Sequence, residues 1–311
     1  MLVVGLGTIA RTHLEVLRTR PDVTLVGGVD PYVDAVDGLP TFESVAQALA
    51  AGVRPDLAVV ATPTDTHVEL VAELLDTTAA RVLSEKPLAR TVGDLAGLVA
   101  RHPGRVLHER LAVAHHFAFS PEVEWARRVV ASRPEWGSPT RVTCVFMDPY
   151  GVFPPERQAV YVSSWVDSGP NQLSVLAAFD PEWRVGAHLD EGDQSVTVLQ
   201  RPAGSALLVS GWGAAGSSKQ TQIEFLGGRV EVRLDHTSMT GLVREGDALT
   251  AHASYAGTVD RKHAHYRGVY EALLSGARDD RLGLALAERI ARTLEEAAEA
   301  PRADLALSSL V

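Results

Sequence analysis

Leu2-Val3-Val4-Gly5-Leu6-Gly7-Thr8-Ile9-Ala10 is the stretch that decides how this sequence is read. Its apolar start, within Leu2 to Leu6, reads as a strand, and Thr8 to Arg20 reads as a helix stopped by Pro21. Between them lies a G-x-G-x-x-A element formed by Gly5, Gly7 and Ala10. At such a junction the first glycine permits a tight turn and the second lets the backbone approach a pyrophosphate. The small third residue lets helix and strand pack closely, and the helix N-terminus offers its N–H groups to phosphate. Glycines also stand at strand–helix junctions as plain turn residues, so the surrounding elements have to choose between the two readings.

Outward from that junction the chain alternates. Val23 to Val29 reads as a second strand, and Thr41 to Ala51 as a helix with Thr41 as its cap. Leu57 to Ala61 is a third clear strand, followed by a helix through His67, Leu70, Val71 and Leu74. Arg81 to Ser84 and Thr91 to Arg101 continue the strand–helix rhythm, which implies βαβ units and a parallel sheet. Beyond about residue 120 the rhythm changes. A helix over Pro121 to Ala131 precedes strands at Thr140 to Met147, Ser195 to Gln200, Ala206 to Trp212, Gln220 to Leu226 and Arg229 to Leu234. Gly227-Gly228 marks a tight hairpin, with Val230, Val232 and Leu234 facing one way and Glu231 and Arg233 the other. Helices at His263 to Ser275 and Leu284 to Ala300 close the chain. The expected fold class is α/β: an N-terminal Rossmann doubly wound parallel sheet, then an α+β domain with a large, mostly antiparallel sheet. The expected domains are 1–117 for dinucleotide binding and 118–311 for substrate binding and oligomerisation, with the final helix packing back on the first.

Composition sets outer limits. With 311 residues, 46% hydrophobic and 22% charged, the chain can build two cores. A net charge of -10 argues against nucleic acid as partner. The single cysteine, Cys144, precludes an intrachain disulfide, and no apolar run reaches the roughly 20 residues of a membrane span. With no basic leader before Leu2, the expectation is a cytoplasmic protein with no membrane partner. Lysine occurs only at positions 86, 219 and 262, so a lysine inside a motif stands out.

Asp30 ends the second strand in Val26-Gly-Gly-Val-Asp30. A carboxylate there accepts hydrogen bonds from adenosine ribose hydroxyls and repels a 2′-phosphate, which makes NAD the preferred cofactor and NADP the second choice. Arg11 and Arg18 are the residues that would favour NADP, and Asp30 could also serve simply as a cap for the turn at Pro31. Two further segments, Ala61-Thr62-Pro63-Thr64-Asp65-Thr66-His67 and Ser84-Glu85-Lys86-Pro87, follow later strands. In their order and spacing with the glycine element, they make the whole chain resemble the glucose–fructose oxidoreductase/inositol dehydrogenase/MocA family. That resemblance implies cofactor contacts at Gly5, Gly7, Thr8, Ile9, Asp30, Thr62, Pro63, His67, Glu85, Lys86 and Pro87. It further implies that Lys86 lies beside the nicotinamide and the substrate oxygen, where an ammonium stabilises an alkoxide-like transition state. The family's peptide bond before the proline matching Pro87 is usually cis. On the residues alone, His67 is equally an ordinary helix-start histidine.

The second segment to carry chemistry is Trp165-Val-Asp167-Ser-Gly169-Pro-Asn171-Gln-Leu-Ser174. Most of the family has Asp-x-Gly-x-His-x-x-Asp here, whereas this chain carries Asn171 and Ser174 at the last two positions. Asparagine does not titrate and cannot be a general base. The variant looks like the aldose 1-dehydrogenases that oxidise galactose, arabinose or related sugars to lactones, with Asp167 and Asn171 in the sugar site. Asp167 then takes the C1 hydroxyl proton while Lys86 steadies the developing charge and Asn171 orients the sugar; alternatively Asp167 is a helix cap. Asp148, Tyr161, Trp165 and His116 are further substrate candidates, Trp165 as a stacking face, with Tyr150 and His115 beside them. His263, His265 and Tyr266 are expected on a solvated helix face. No metal site is expected. A homodimer or homotetramer built on the open sheet face follows by resemblance. A ketoreductase on a modified or nucleotide-linked sugar, and a non-catalytic cofactor-binding regulator, remain as alternatives.

Overall fold

Near-continuous apolar runs form strands covered on both faces, and this sequence has them in its first third. The computed structural model describes residues 1–302 apart from 34, 37, 181 and 214. It divides into two units, residues 1–116 with 262–292, and residues 117–261 with 293–302.

The first unit begins with β1 (Leu2–Val4), α1 (Thr8–Arg18), β2 (Gly27–Val29), β3 (Thr41–Phe42) and α2 (Val45–Ala50). It continues with β4 (Leu57–Val60), α3 (His67–Thr77), β5 (Arg81–Glu85), α4 (Val92–Arg101), α5 (Gly104–Arg110) and β6 (Leu111–Ala114). All six strands are parallel, in the order β3-β2-β1-β4-β5-β6. The order reverses at β1, and β1, β4 and β6 are buried along their whole length. Ligands of open parallel sheets bind beyond the carboxyl ends of the strands at such a reversal.

Thr41 does not cap a helix: Thr41 and Phe42 pair with Gly28 and Val29 as the edge strand, and α2 starts at Val45 with Ser44 as cap. Sheet pairing outweighs the helical spacing of Phe42. The second strand is also shorter than expected, since only Gly27–Val29 pairs with the three residues of β1. Strand β6 and helix α5 were not foreseen, because Leu111-Ala-Val-Ala114 is too short an apolar run to separate from a helix by periodicity.

The second unit starts with α6 (Pro121–Ala131), β7 (Arg141–Met147), α7 (Pro155–Gln158) and α8 (Ser164–Ala177). Then come β8 (Arg184–Asp190), β9 (Gln194–Arg201), β10 (Gly204–Gly211), β11 (Ser218–Phe225), β12 (Val230–Asp235), β13 (Thr240–Glu245) and β14 (Ala248–Ser254). These strands form one sheet in the order β14-β13-β12-β11-β7-β10-β9-β8, antiparallel except for β7 beside β10. Alternation is clean: Val142, Cys144, Phe146, Ile223, Val230, Val232 and Leu234 are buried, whereas Arg141, Val145 and Arg233 are exposed. One face therefore forms a core and the other is open.

The last helices are α9 (Arg261–Leu274) and α10 (Leu284–Glu299). Leu284, Ala287 and Ala291 of α10 join the core formed by Val4, Val60, Val82, Leu95 and Val113 in the first unit. The expected solvated face holds for His263, which bonds Glu15, but His265 and Tyr266 are 1% and 0% exposed.

Candidate active site

In the first unit the glycine element stands where the strand order reverses. Gly5 has φ +85°, and a Cβ there would meet the Ala61 carbonyl oxygen at 2.7 Å. Only glycine fits. Gly7 is exposed and a Cβ on it would touch no atom within 4 Å, so packing does not call for a glycine at this position. Gly7 also heads α1 without any side-chain cap, leaving the first N–H groups of an 11-residue helix facing outward. Thr8 is exposed and Ile9 half-buried beside it, while Ala10 is fully buried. Asp30 accepts from the backbone N–H of Leu6 and of Tyr32, both at 2.9 Å. Both sequence readings of Asp30 thus coexist: it caps its turn, and the same carboxylate is fixed against the glycine loop with acceptor capacity to spare. These features fit a dinucleotide, with pyrophosphate over Gly5–Gly7 and ribose at Asp30.

His67 ties the other two motifs together. It is 1% exposed, with Nδ1 2.9 Å from the Pro87 carbonyl oxygen and Nε2 2.8 Å from that of Thr62. Thr66 braces the same turn, its hydroxyl 2.7 Å from Thr62 Oγ1 and 2.8 Å from the Pro63 carbonyl oxygen. His67 therefore supports the cofactor-side loops from within. The Lys86–Pro87 peptide bond is cis.

Glu85, expected against the cofactor, instead points into a buried network. His13 Nε2 donates to Glu85 Oε1 at 2.9 Å, the role a carboxylate requires of its partner, and the Tyr266 hydroxyl donates to the same atom at 2.6 Å. The Tyr270 hydroxyl meets His13 Nδ1 at 2.6 Å. Burial works to raise the Glu85 pKa, but the bonds from His13 and Tyr266 and the charges of His13 and Lys86 outweigh it, holding the carboxyl below its ordinary value. Glu85 Oε2 also accepts from the Lys86 backbone N–H at 3.2 Å. A fixed anion thus holds the Lys86 main chain at the carboxyl end of β5, where the lysine is half-buried. His116 stacks on Tyr266 with ring centres 5.1 Å apart, its Nδ1 3.1 Å from that of His265. His13, Tyr266 and Tyr270 were not singled out for this role, because nothing in their spacing joins α1 to α9.

The second unit holds a separate polar cluster. Asp148 and Lys219, each 5% exposed, form a buried ion pair. The Ser168 and Ser217 hydroxyls donate to Asp148 at 3.5 and 3.4 Å. Burial pulls the Lys219 ammonium below its ordinary value, while Asp148 and then Asp167 oppose the shift and Arg261 adds to it. Tyr150 stacks on Tyr161 at 4.5 Å, and burial, followed by Asp167 and Asp148, pushes its phenol pKa up, so it stays protonated. Asp148, Asp167, Tyr150, Tyr161, Lys219 and Arg261 thus share one neighbourhood. Asp167 is not the helix cap; Ser163 is, and Asp167 lies in the first turn of α8. Asn171 is 7% exposed, with Nδ2 donating to the Asp167 carbonyl at 3.5 Å and Oδ1 unpaired. Trp165 is 3% exposed and packs on Gly169 and against His188 at 5.2 Å, so its ring offers no open stacking face. Lys219 was legible as one of three lysines, yet only Lys86 sat in a recognisable motif. Among the described residues no group of His, Cys, Asp or Glu is arranged to hold a metal.

Comparison with known proteins places the first unit. Residues 1–108 match the family model GFO_IDH_MocA, described as an oxidoreductase family with an NAD-binding Rossmann fold. A search of curated proteins finds no match. Solved structures share the fold over most of the chain. A myo-inositol dehydrogenase from Corynebacterium glutamicum is 18% identical, with TM-score 0.75, 96% of this chain and 93% of that one covered. A UDP-N-acetylglucosamine 3-dehydrogenase from Acidithiobacillus ferrooxidans gives 17%, 0.75, 96% and 96%. GenD2 from gentamicin A biosynthesis, solved in complex with NAD, gives 22%, 0.74, 96% and 92%. At these identities the likeness is one of fold.

Proposed function

We propose, from the match of residues 1–108 to the Gfo/Idh/MocA oxidoreductase family model with its NAD-binding Rossmann fold, that this chain is an NAD-dependent enzyme that oxidises an aldose at C1 to the lactone. Bound NAD supplies the hydride acceptor. The chain's own residues do the rest: Lys86, whose charge acts on the buried Glu85 carboxylate, holds the C1 oxygen, and Asp167 takes the hydroxyl proton. C1 gives up its hydrogen as hydride, the anomeric hydroxyl's proton goes to the carboxylate, and the exocyclic C1–O bond becomes the lactone carbonyl while the ring C1–O bond is kept. An anomeric hydroxyl is more acidic than an ordinary alcohol, so a carboxylate suffices as base. The observation that carries this reading is the position of Asp167 among Asp148, Lys219, Tyr150 and Tyr161, with an untitratable Asn171 one turn later. Donors and acceptors of that kind recognise sugar hydroxyls.

Product analysis with NAD and free aldoses tests it. A lactone formed by the native chain, and a fall of roughly 10²-fold or more in kcat for Asp167→Asn, is expected. A 3-keto sugar, or full activity in Asp167→Asn, would overturn it. One observation favours a second reading, a ketoreductase on a nucleotide-linked sugar. Arg261 Nη1 is buried without a partner, a donor suited to an anionic group such as a diphosphate. The working form we propose is a homodimer or homotetramer joined through the open sheet face.

A further inference from the structure

His115 is the polar side chain for which the first unit provides no use. It is 1% exposed, and neither Nδ1 nor Nε2 has a hydrogen-bond partner. A neutral imidazole carries one donor and one acceptor, and leaving both buried and unpaired costs more than any ordinary packing residue would. The position argues further. In the β5–β6 ladder Glu85 pairs with Ala114, so the next residue on each strand is Lys86 and His115. Both emerge at the carboxyl ends of neighbouring parallel strands, the ligand side of such a sheet. Burial drives the His115 pKa down to about 3; Glu85 opposes the shift and Lys86 adds to it. The ring is therefore neutral at working pH, adding no second cation beside Lys86.

Sheet order says what comes to meet it. On the dinucleotide fit described above, Asp30, just past β2 and fixed against the glycine loop, is the site for the adenosine ribose, and the Gly5–Gly7 loop after β1 the site for the pyrophosphate. The remaining half of a dinucleotide then runs over the next strands, β4, β5 and β6. We propose that His115 binds the nicotinamide carboxamide, its N–H donating to the amide oxygen and its bare nitrogen accepting from the amide NH2. A carboxamide offers one acceptor and one donor side by side, the complement of a neutral imidazole. His115 so fixes the ring's rotation next to Lys86. The inference needs the cofactor and is independent of which sugar is oxidised.

Calorimetric titration of the whole protein with NAD and, separately, ADP-ribose tests the proposal without turnover. ADP-ribose keeps the ribose and pyrophosphate contacts and lacks the nicotinamide. For His115→Phe the expected result is NAD binding weakened roughly tenfold with ADP-ribose binding unchanged. His115→Gln, which keeps a donor and an acceptor, retains NAD affinity to within about threefold. Equal weakening for both ligands would assign His115 to packing, and unchanged NAD affinity in His115→Phe would remove it from the cofactor site; either overturns the proposal.

Discussion

Lys86 and His115 show how one residue's neighbours set its chemistry. The Lys86 main chain is held by the Glu85 carboxylate, which feels the lysine's charge and is itself held by His13 and Tyr266. Removing Tyr266 by Tyr266→Phe leaves that carboxylate one donor short in a buried place, and a loss of about 1–3 kcal/mol is expected in denaturant unfolding. His115 makes a pH prediction. Its folded pKa, about 3, lies below the unfolded value, so under acid the unfolded chain binds a proton that the native one refuses. Its effect on stability is absent above about pH 6.5 and grows as a penalty as pH falls toward the folded value. The groups facing it are Glu85 and Lys86. Without cofactor, the native chain should lose about 3 kcal/mol more stability than His115→Phe between about pH 7 and about pH 4. Parallel loss in both proteins would show that His115 does not titrate in this way.

At the scale of elements, the loops after β1, β4 and β5 are joined by backbone contacts that the sequence half discloses. Gly5 and Pro87 are legible as motif residues, whereas the close approach of the His67 ring nitrogens to the Thr62 and Pro87 carbonyls is not, since only folding brings the two carbonyls to one ring. His67→Ala is expected to cost about 2 kcal/mol and to weaken NAD binding, read by melting and titration. In the second unit Lys219 on β11 meets Asp148 just beyond β7, a pairing set by the register Ser218 to Met147. That register depends on long-range antiparallel pairing, which a single sequence does not encode locally. Lys219→Met strands a buried carboxylate and should cost about 3–5 kcal/mol, with Lys219→Met/Asp148→Asn recovering much of it. A double variant no more stable than the single one would mean the pair is not buried as described. The Thr41 segment failed for a related reason: its helical spacing was real, but pairing with Gly28 and Val29 took Phe42 for the sheet.

At the scale of the whole molecule, the fold class was legible because β-branched runs and helical stretches alternate in one half and strands follow strands in the other. The chemistry was legible only where a motif carried it: Gly5, Gly7, Asp30 and Lys86 were named from sequence, while Lys219 and the His13–Glu85–Tyr266 network depend on contacts far apart in the chain. No helix among the described residues is long and apolar enough to cross a membrane. A homodimer or homotetramer at working concentration is the expected result of sedimentation, and a monomer there would contradict the proposed use of the open sheet face. The proposed organisation of hydride transfer around Lys86 is tested by following reduced cofactor on mixing the protein with NAD and a panel of aldoses, with Lys86→Ala alongside. Turnover is expected on one or a few aldoses, reduced roughly 10²- to 10⁴-fold in Lys86→Ala while NAD binding persists. Turnover that survives in Lys86→Ala, or NAD bound with every aldose left untouched, would contradict it.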